Sequence, residues 1–266
     1  MNRKTINNIA RKIKFGMNIP LKISKKPKFS DSVISDLFPI RNGADWATEF
    51  EFLNLPGLIK GDTTKSHWAK IVFFDRKGVQ LGSKELEISG VNRKTIHVSE
   101  FIYDDIKDAS TFAVFHENQS GNRDLGESFL AERGYTGYKY KNNPVKGYVH
   151  GNLDAVSYSS GIIQKLGNYG LVKKTYFVQH LLTGPSEYEF FFTNPTSKII
   201  VIKPILEMNN KVCKLSKICI ESLGCGVIKV KIKNGDIGKI KFRSFLYLAR
   251  PVVFRLKTDS FDVFHG

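Results

Sequence analysis

Thr48-Glu-Phe-Glu-Phe-Leu-Asn54 returns 140 residues later as Tyr188-Glu-Phe-Phe-Phe-Thr-Asn194. Slid without a gap, Glu49 meets Glu189, Phe50 meets Phe190, Phe52 meets Phe192 and Asn54 meets Asn194. Side chains alternate across a strand, so the two phenylalanines of each copy share one face and Glu49 and Glu51 the other. The repeat therefore reads as a core strand used twice, with the glutamates as surface charge.

Working outward, short runs rich in Phe, Ile, Val and Tyr recur every 8 to 12 residues between Gly, Asn, Asp and Pro, and helix-length periodicity is scarce. Candidate strands in the first half are 49–53, 69–74, 84–88, 95–98, 111–116 and 147–150. In the second half they are 176–180, 187–192, 198–205, 217–221, 227–233, 239–242, 245–249, 252–256 and 261–264. Trp68-Ala-Lys-Ile-Val-Phe-Phe74 is similar to Ser197-Lys-Ile-Ile-Val-Ile202, and Tyr148-Val-His-Gly151 to Val263-Phe-His-Gly266. The expected fold class is all-β: two tandem antiparallel β-sandwich domains related by internal duplication, preceded by a short basic amphipathic N-terminal segment. Their bounds are 1–30 for the basic arm, 31–165 for the first sandwich and 166–266 for the second.

The chain has 266 residues, 41% of them hydrophobic, enough for sizeable cores. Its net charge of +16 is unevenly placed. Residues 1–30 hold nine Lys or Arg and no acid, and residues 198–266 hold fourteen basic and five acidic residues. An anionic partner is the expectation. In the arm, Ile6, Ile9, Ala10 and Ile13 fall at helical spacing among Arg3, Lys4, Arg11, Lys12 and Lys14, the pattern of a segment that lies on an anionic membrane surface. No run approaches the roughly 20 apolar residues of a spanning helix. An odd count of three cysteines and a basic start without a long apolar core lead to the expectation of a cytoplasmic protein, peripheral at the inner membrane surface.

In the C-terminal quarter, Ile228, Val230 and Ile232 alternate with Lys229, Lys231 and Lys233, and Asn234-Gly235 follows. The returning run places Lys239, Lys241 and Arg243 opposite Ile240 and Phe242. The expectation is a hairpin with a type I′ turn whose six cations form one anion-binding face. With Phe242 pointing inward, that face lacks the aromatic residues of a nucleic-acid reader, so nucleic acid is the less expected partner of this protein, behind a polar ligand and an anionic membrane bound through residues 1–30.

The two copies differ most at 117–147, expected to be a long functional insertion of the first sandwich. It offers Asn118, Gln119, Asn122, Arg123, Asp124, Arg133, Tyr135 and Tyr138, with His150 and Asn152 arriving on the next strand. Planar polar groups beside aromatic rings suit a carbohydrate or another small polar ligand. An enzyme of surface-polysaccharide synthesis, working on sugars or sugar nucleotides with Glu127, His150 and Asp154 as acid and base, is the alternative. The six histidines form no His-x-His or His-x3-His pair, and Cys213, Cys219 and Cys225 lie six apart, unlike Cys-x2-Cys zinc ligands, so neither metal nor cofactor is expected. The Gly-rich and nucleophile motifs of common enzymes are missing from the sequence.

Within residues 49–119 the chain reads Leu53-Asn54, then Ala69-Lys-Ile-Val-Phe-Phe-Asp75 with Gly78, then Arg93-Lys-Thr-Ile-His-Val98 before a loop and an apolar strand. On these residues the stretch resembles the small bacterial β-sandwich family of the sensory-rhodopsin transducer. The resemblance implies a non-catalytic sandwich domain that forms homo-oligomers and binds partners or small ligands.

Overall fold

The computed structural model describes residues 24–43, 45–53, 67–88, 93–101, 108–116, 134–141, 143–151, 154–209, 211–247, 250–258 and 260–266. Three short strands stand apart from the rest: β1 (Val33–Ser35), and β10 (Val156–Ser159) with β11 (Ile162–Lys165). They form one antiparallel sheet in the order β1-β10-β11. Between β1 and β10 runs the first sandwich: β2 (Phe38–Pro39), β3 (Trp46–Leu53), β4 (His67–Phe74), β5 (Gln80–Ile88), β6 (Arg93–His97), β7 (Thr111–His116), β8 (Tyr135–Tyr140) and β9 (Lys146–His150). One of its sheets is ordered β2-β7-β4-β5 and the other β6-β3-β8-β9.

The alternation of Phe50 and Phe52 with Glu49 and Glu51 dictates which face β3 buries. Both phenylalanines are fully enclosed, packed with Phe38, Ile71, Phe73 and Phe112 between the two sheets. Their rings meet edge to face, 4.9 Å between centroids. The small sheet then covers the outer face of β4 and β7, where Val33, Leu37 and Val156 pack on Val72, Phe74, Ala113 and Phe115.

The second sandwich repeats the plan with β12 (Tyr169–Phe177), β13 (Leu182–Thr183), β14 (Ser186–Thr193), β15 (Ile200–Met208), β16 (Lys211–Lys214), β17 (Ile218–Ile220), β18 (Cys225–Ile232), β19 (Ile237–Leu246), β20 (Val252–Leu256) and β21 (Phe261–His265). Its sheets are β12-β19-β15-β16, with β13 on β19 and β17 on β15, and β18-β14-β20-β21. Phe190 and Phe192 occupy its core with Ile200, Ile202, Ile240 and Phe242. The two halves of the repeat thus fall on strands with the same neighbours. β3 lies between β6 and β8, and β14 between β18 and β20.

Two expectations about strand pairing are overturned. β18 and β19 are not a hairpin: β18 pairs with β14, and β19 with β12, β13 and β15. Asn234-Gly235 instead carries the chain from one sheet to the other. Gly235 alone takes a positive φ, 80°, whereas a type I′ turn needs it at both central residues. The apolar sides of β18 and β19 face each other across the core, so their outer sides, with the six cations, point to opposite surfaces. The runs 239–242 and 245–249 belong to one strand up to Leu246, because Ser244 is buried in the sheet and no turn residue intervenes.

The insertion is also shorter than expected. Tyr135–Tyr140 is β8, which pairs with β3 and β9 as β20 pairs with β14 and β21. The extra residues separate β7 from β8 and end before Gly134. Alternation is hidden in β8 by Gly137, where a Cβ would come within 2.7 Å of the Tyr148 ring lying across it.

The sandwiches share a buried contact. Tyr138, Val149, Phe191, Val252 and Phe254 form an apolar cluster that draws on both, with Trp46 against it. Arg41 enters beside this cluster. Its guanidinium lies 2.5 Å from Asp108 and 2.5 Å from Glu189, and 4.9 Å above the Trp46 ring. Burial pushes the Asp108 carboxyl up, against the pull of Arg41. Elsewhere the turn after β4 lies on the loop before β18: the Cys225 amide donates to the Arg76 carbonyl, and the Thr111 hydroxyl to that of Leu223.

The final strands of the sandwiches meet at His150 and His265. Their rings lie 5.1 Å apart, and Nε2 of His265 donates to the His150 carbonyl at 2.5 Å. Burial, chiefly, lowers the His265 pKa below its ordinary 6.5. A histidine held neutral in the folded state contributes stability that is complete above the unfolded pKa and is lost as pH falls through the folded one. Thermal unfolding followed from neutral pH downward through the histidine range is expected to show this loss, reduced in His265→Asn.

Candidate functional site

Of the predicted ligand residues, Tyr135, Tyr138 and His150 are among the described ones. Asn118, Gln119, Asn122, Arg123, Asp124, Glu127, Arg133 and Asn152 lie outside the described residues, as does most of the N-terminal arm, 1–23. Tyr138 is fully buried, its hydroxyl donating to the Pro39 carbonyl. It is a packing residue. Tyr138, His150 and His265 line a cavity of about 30 Å³ between the sandwiches, room for a water or two and too small for a sugar. Nδ1 of His150 donates to the Gly151 carbonyl at 2.5 Å, and its ring lies beside that of His265. Asp154 is half-buried on the segment between β9 and β10. Tyr135 is exposed on the outer face of β8, opposite His150.

Glu49 and Glu51, read from sequence as surface charge, are nearly buried at 3% and 5% exposure. Each holds two partners on the outer face of the β6-β3-β8-β9 sheet. Glu49 binds Lys146 at 2.5 Å and His97 at 3.0 Å. Glu51 takes Arg93 and the Tyr148 hydroxyl, both at 2.8 Å. Burial and then this hydrogen bond push the Tyr148 phenol up to about 12. With cations on both carboxylates and the tyrosine held protonated, the cluster is an ion-paired brace rather than an acid-base pair.

A groove of about 390 Å³ lies on the other sheet of this sandwich, where the β1-β10-β11 layer stops short of the end of β4. The even residues of β4 face outward here. Trp68 and Lys70 line it, with Glu85 of β5 and Phe115 of β7 on either side of Lys70 and Tyr158 of β10 over them. Trp68 is 46% exposed, on the outer face of β4. Lys70 reaches Glu85 at 3.1 Å and lies 5.3 Å over the Tyr158 ring. The hydrogen bond to Glu85, before any other cause, raises the Lys70 pKa, so the ammonium is firmly charged. The rings of Phe115 and Tyr158 lie 5.3 Å apart, tilted by 33°. The volume is that of a small-ligand site, roughly 300–1,000 Å³. His116, 1% exposed, contributes to its lining.

Sequence reasoning missed this groove, although Trp68 and Tyr158 were each visible as aromatic residues. The six predicted anion ligands separate into two groups. Lys229 and Lys231 lie beside Glu189 and Glu187 on β14 and are paired with them, and Lys233 follows β18. Lys239, Lys241 and Arg243 lie on the far side of the sandwich, on β19. Among the described residues no group of three or more His, Cys, Asp or Glu could hold a metal ion, and no helix is long and apolar enough to cross a membrane.

Comparison with protein-family models and with curated proteins gives no match, so the reading of these sites rests on their geometry.

Proposed function

We propose that this is a non-catalytic β-sandwich binding protein and that it takes a carbohydrate, or a ligand of like polarity, in the groove beside Trp68. The observation that carries this reading is an exposed indole set next to a charged donor and a charged acceptor. An indole face covers the C–H face of a pyranose, while the Lys70 ammonium donates to ring hydroxyls and the Glu85 carboxylate accepts from them. Tyr158 adds a second ring over Lys70. Oligosaccharide arrays followed by calorimetric titration are expected to find a binder, and Trp68→Ala to weaken it at least about tenfold, the scale of one buried aromatic contact. Folding is expected to survive, since the indole is half exposed. A panel of neutral and acidic sugars with no binder, or a binder indifferent to Trp68→Ala, would sink the proposal.

Association with an anionic membrane surface through residues 1–30 belongs to the same reading. It is supported by nine cations without an acid around an apolar stripe. Deleting the arm is expected to move the protein from the liposome pellet to the supernatant.

A further inference from the structure

We propose that the outer face of the β12-β19-β15-β16 sheet binds single-stranded nucleic acid. The outward positions of this sheet carry Lys173, Lys203, Lys239, Lys241 and Arg243, and a single acid, Glu207. Glu207 is matched by Lys241. Among the described residues no carboxylate pairs with Lys203, Lys239 or Arg243. On the other sheet of the same sandwich, by contrast, Lys229 and Lys231 have glutamates beside them. The excess is confined to one face.

The registers place these cations together. Arg243 is directly opposite Lys203 on one side and Thr175 on the other. Like charges directly opposite destabilise a sheet, an expense that an anion lying over the pair would remove. Neighbouring strands are about 4.8 Å apart, so the row presents adjacent cations to a phosphodiester chain.

Aromatic rings stand among them. Phe177 is 63% exposed beside Lys241, and Tyr169 stacks on Phe245 at 5.7 Å and 22°. Lys173 lies 5.2 Å over Phe245, and Lys198 5.4 Å over Tyr169. Residues 241 and 245 are about 14 Å apart along β19 at the rise of an extended strand, so rings flank the cationic row at both ends. Phosphates tracked by cations with bases stacked on rings is the pattern of single-strand readers on open sheets. A sulfated or carboxylated polysaccharide would use the cations but has no aromatic bases to stack. The inward Phe242 is replaced, as aromatic partner of the lysines, by residues from β12 and the end of β19. This inference does not depend on the Trp68 groove.

Fluorescence anisotropy of the full chain with a labelled single-stranded oligonucleotide of about 16 nucleotides tests it. Binding is expected to weaken with salt at a log–log slope of about −2 to −3, for three or four neutralised phosphates. Phe177→Ala is expected to weaken binding about five- to a hundredfold, and Arg243→Gln with Lys203→Gln to flatten the slope by about 1.4. Trp68→Ala should change neither, and unchanged thermal unfolding checks that the variants are folded. Dextran sulfate or anionic vesicles serve as competing anions. The proposal is overturned by no binding at low salt, by displacement as efficient with dextran sulfate as with the oligonucleotide, or by indifference to Phe177→Ala. Loss of binding only when the cations of residues 1–30 are replaced by glutamine would overturn it equally.

Discussion

Glu189→Ala is expected to lower the free energy of unfolding by about 3–5 kcal/mol, the range for removing one member of a buried ion pair. Glu189 is 1% exposed and its carboxylate lies between Arg41 and Lys229. Without it, the Arg41 guanidinium stays enclosed by Trp46, Phe191 and Phe254 with only Asp108 to balance it. Lys229, well exposed, returns to water and contributes little. Arg41→Met combined with Glu189→Leu is expected to recover most of the loss, because an apolar pair of similar volume avoids the cost of desolvating both charges. Denaturant unfolding of Arg41→Met, of Glu189→Leu and of the double variant measures the coupling. A loss below about 1 kcal/mol in Glu189→Ala would mean that the pair behaves like an exposed surface bridge.

Gly78→Ala is expected to cost about 2–5 kcal/mol, adding backbone strain to overpacking. Gly78 has φ of 81°, and a Cβ there would sit 1.8 Å from the Ser222 carbonyl oxygen and 2.8 Å from the Gly224 amide nitrogen. These are backbone atoms of the second sandwich, so no rotamer change relieves the clash. The turn Asp75–Val79 is itself fixed by the Asp75 carboxylate, which accepts from the Lys77 and Val79 amides. The turn and the β18 loop must therefore separate, which also strains the bond from the Cys225 amide to Arg76. Gly235→Ala is the control: its φ is 80° but nothing lies within 4 Å, so it isolates strain from contact. Equal losses in the two variants would show that the contact between sandwiches adds nothing.

The all-β class and most strands were readable because they follow from local alternation. Phe50 and Phe190 face cores as their spacing demands. What was not readable depends on partners far along the chain. Asn234-Gly235 marks a reversal, but nothing local states whether the returning strand joins the same sheet or crosses to the opposite one. Both outcomes bury Ile228, Val230, Ile240 and Phe242 alike. Glu49 and Glu51 were placed on the correct face, yet the alternation of one strand does not show that Lys146 and Tyr148 close over it from β9. The Trp68 groove and the basic sheet face arise from strand order, which brings Tyr158 beside Lys70 and Lys203 beside Arg243. Of the residues expected to bind sugar, Tyr138 was taken by the core because a buried phenol needs a hydrogen-bond partner and Pro39 supplies one.

The β1-β10-β11 sheet has a mechanical consequence. β1 leads into the first sandwich and β10 leads out, and their antiparallel register sets Val33 opposite Tyr158 and Ser35 opposite Val156. The chain then turns into β11, whose register sets Lys165 opposite Val156, so it enters the sheet at Val33 and leaves it at Lys165, at opposite ends of the three strands. Tension applied to the chain on either side of the sandwich therefore draws β1 and β11 past each other, and the load is shared along both ladders instead of opening one bond at a time. Bonds loaded in shear must break together. The small sheet thus clamps the two ends of the first sandwich and keeps Val72, Phe74 and Phe115 covered until it gives way as a unit.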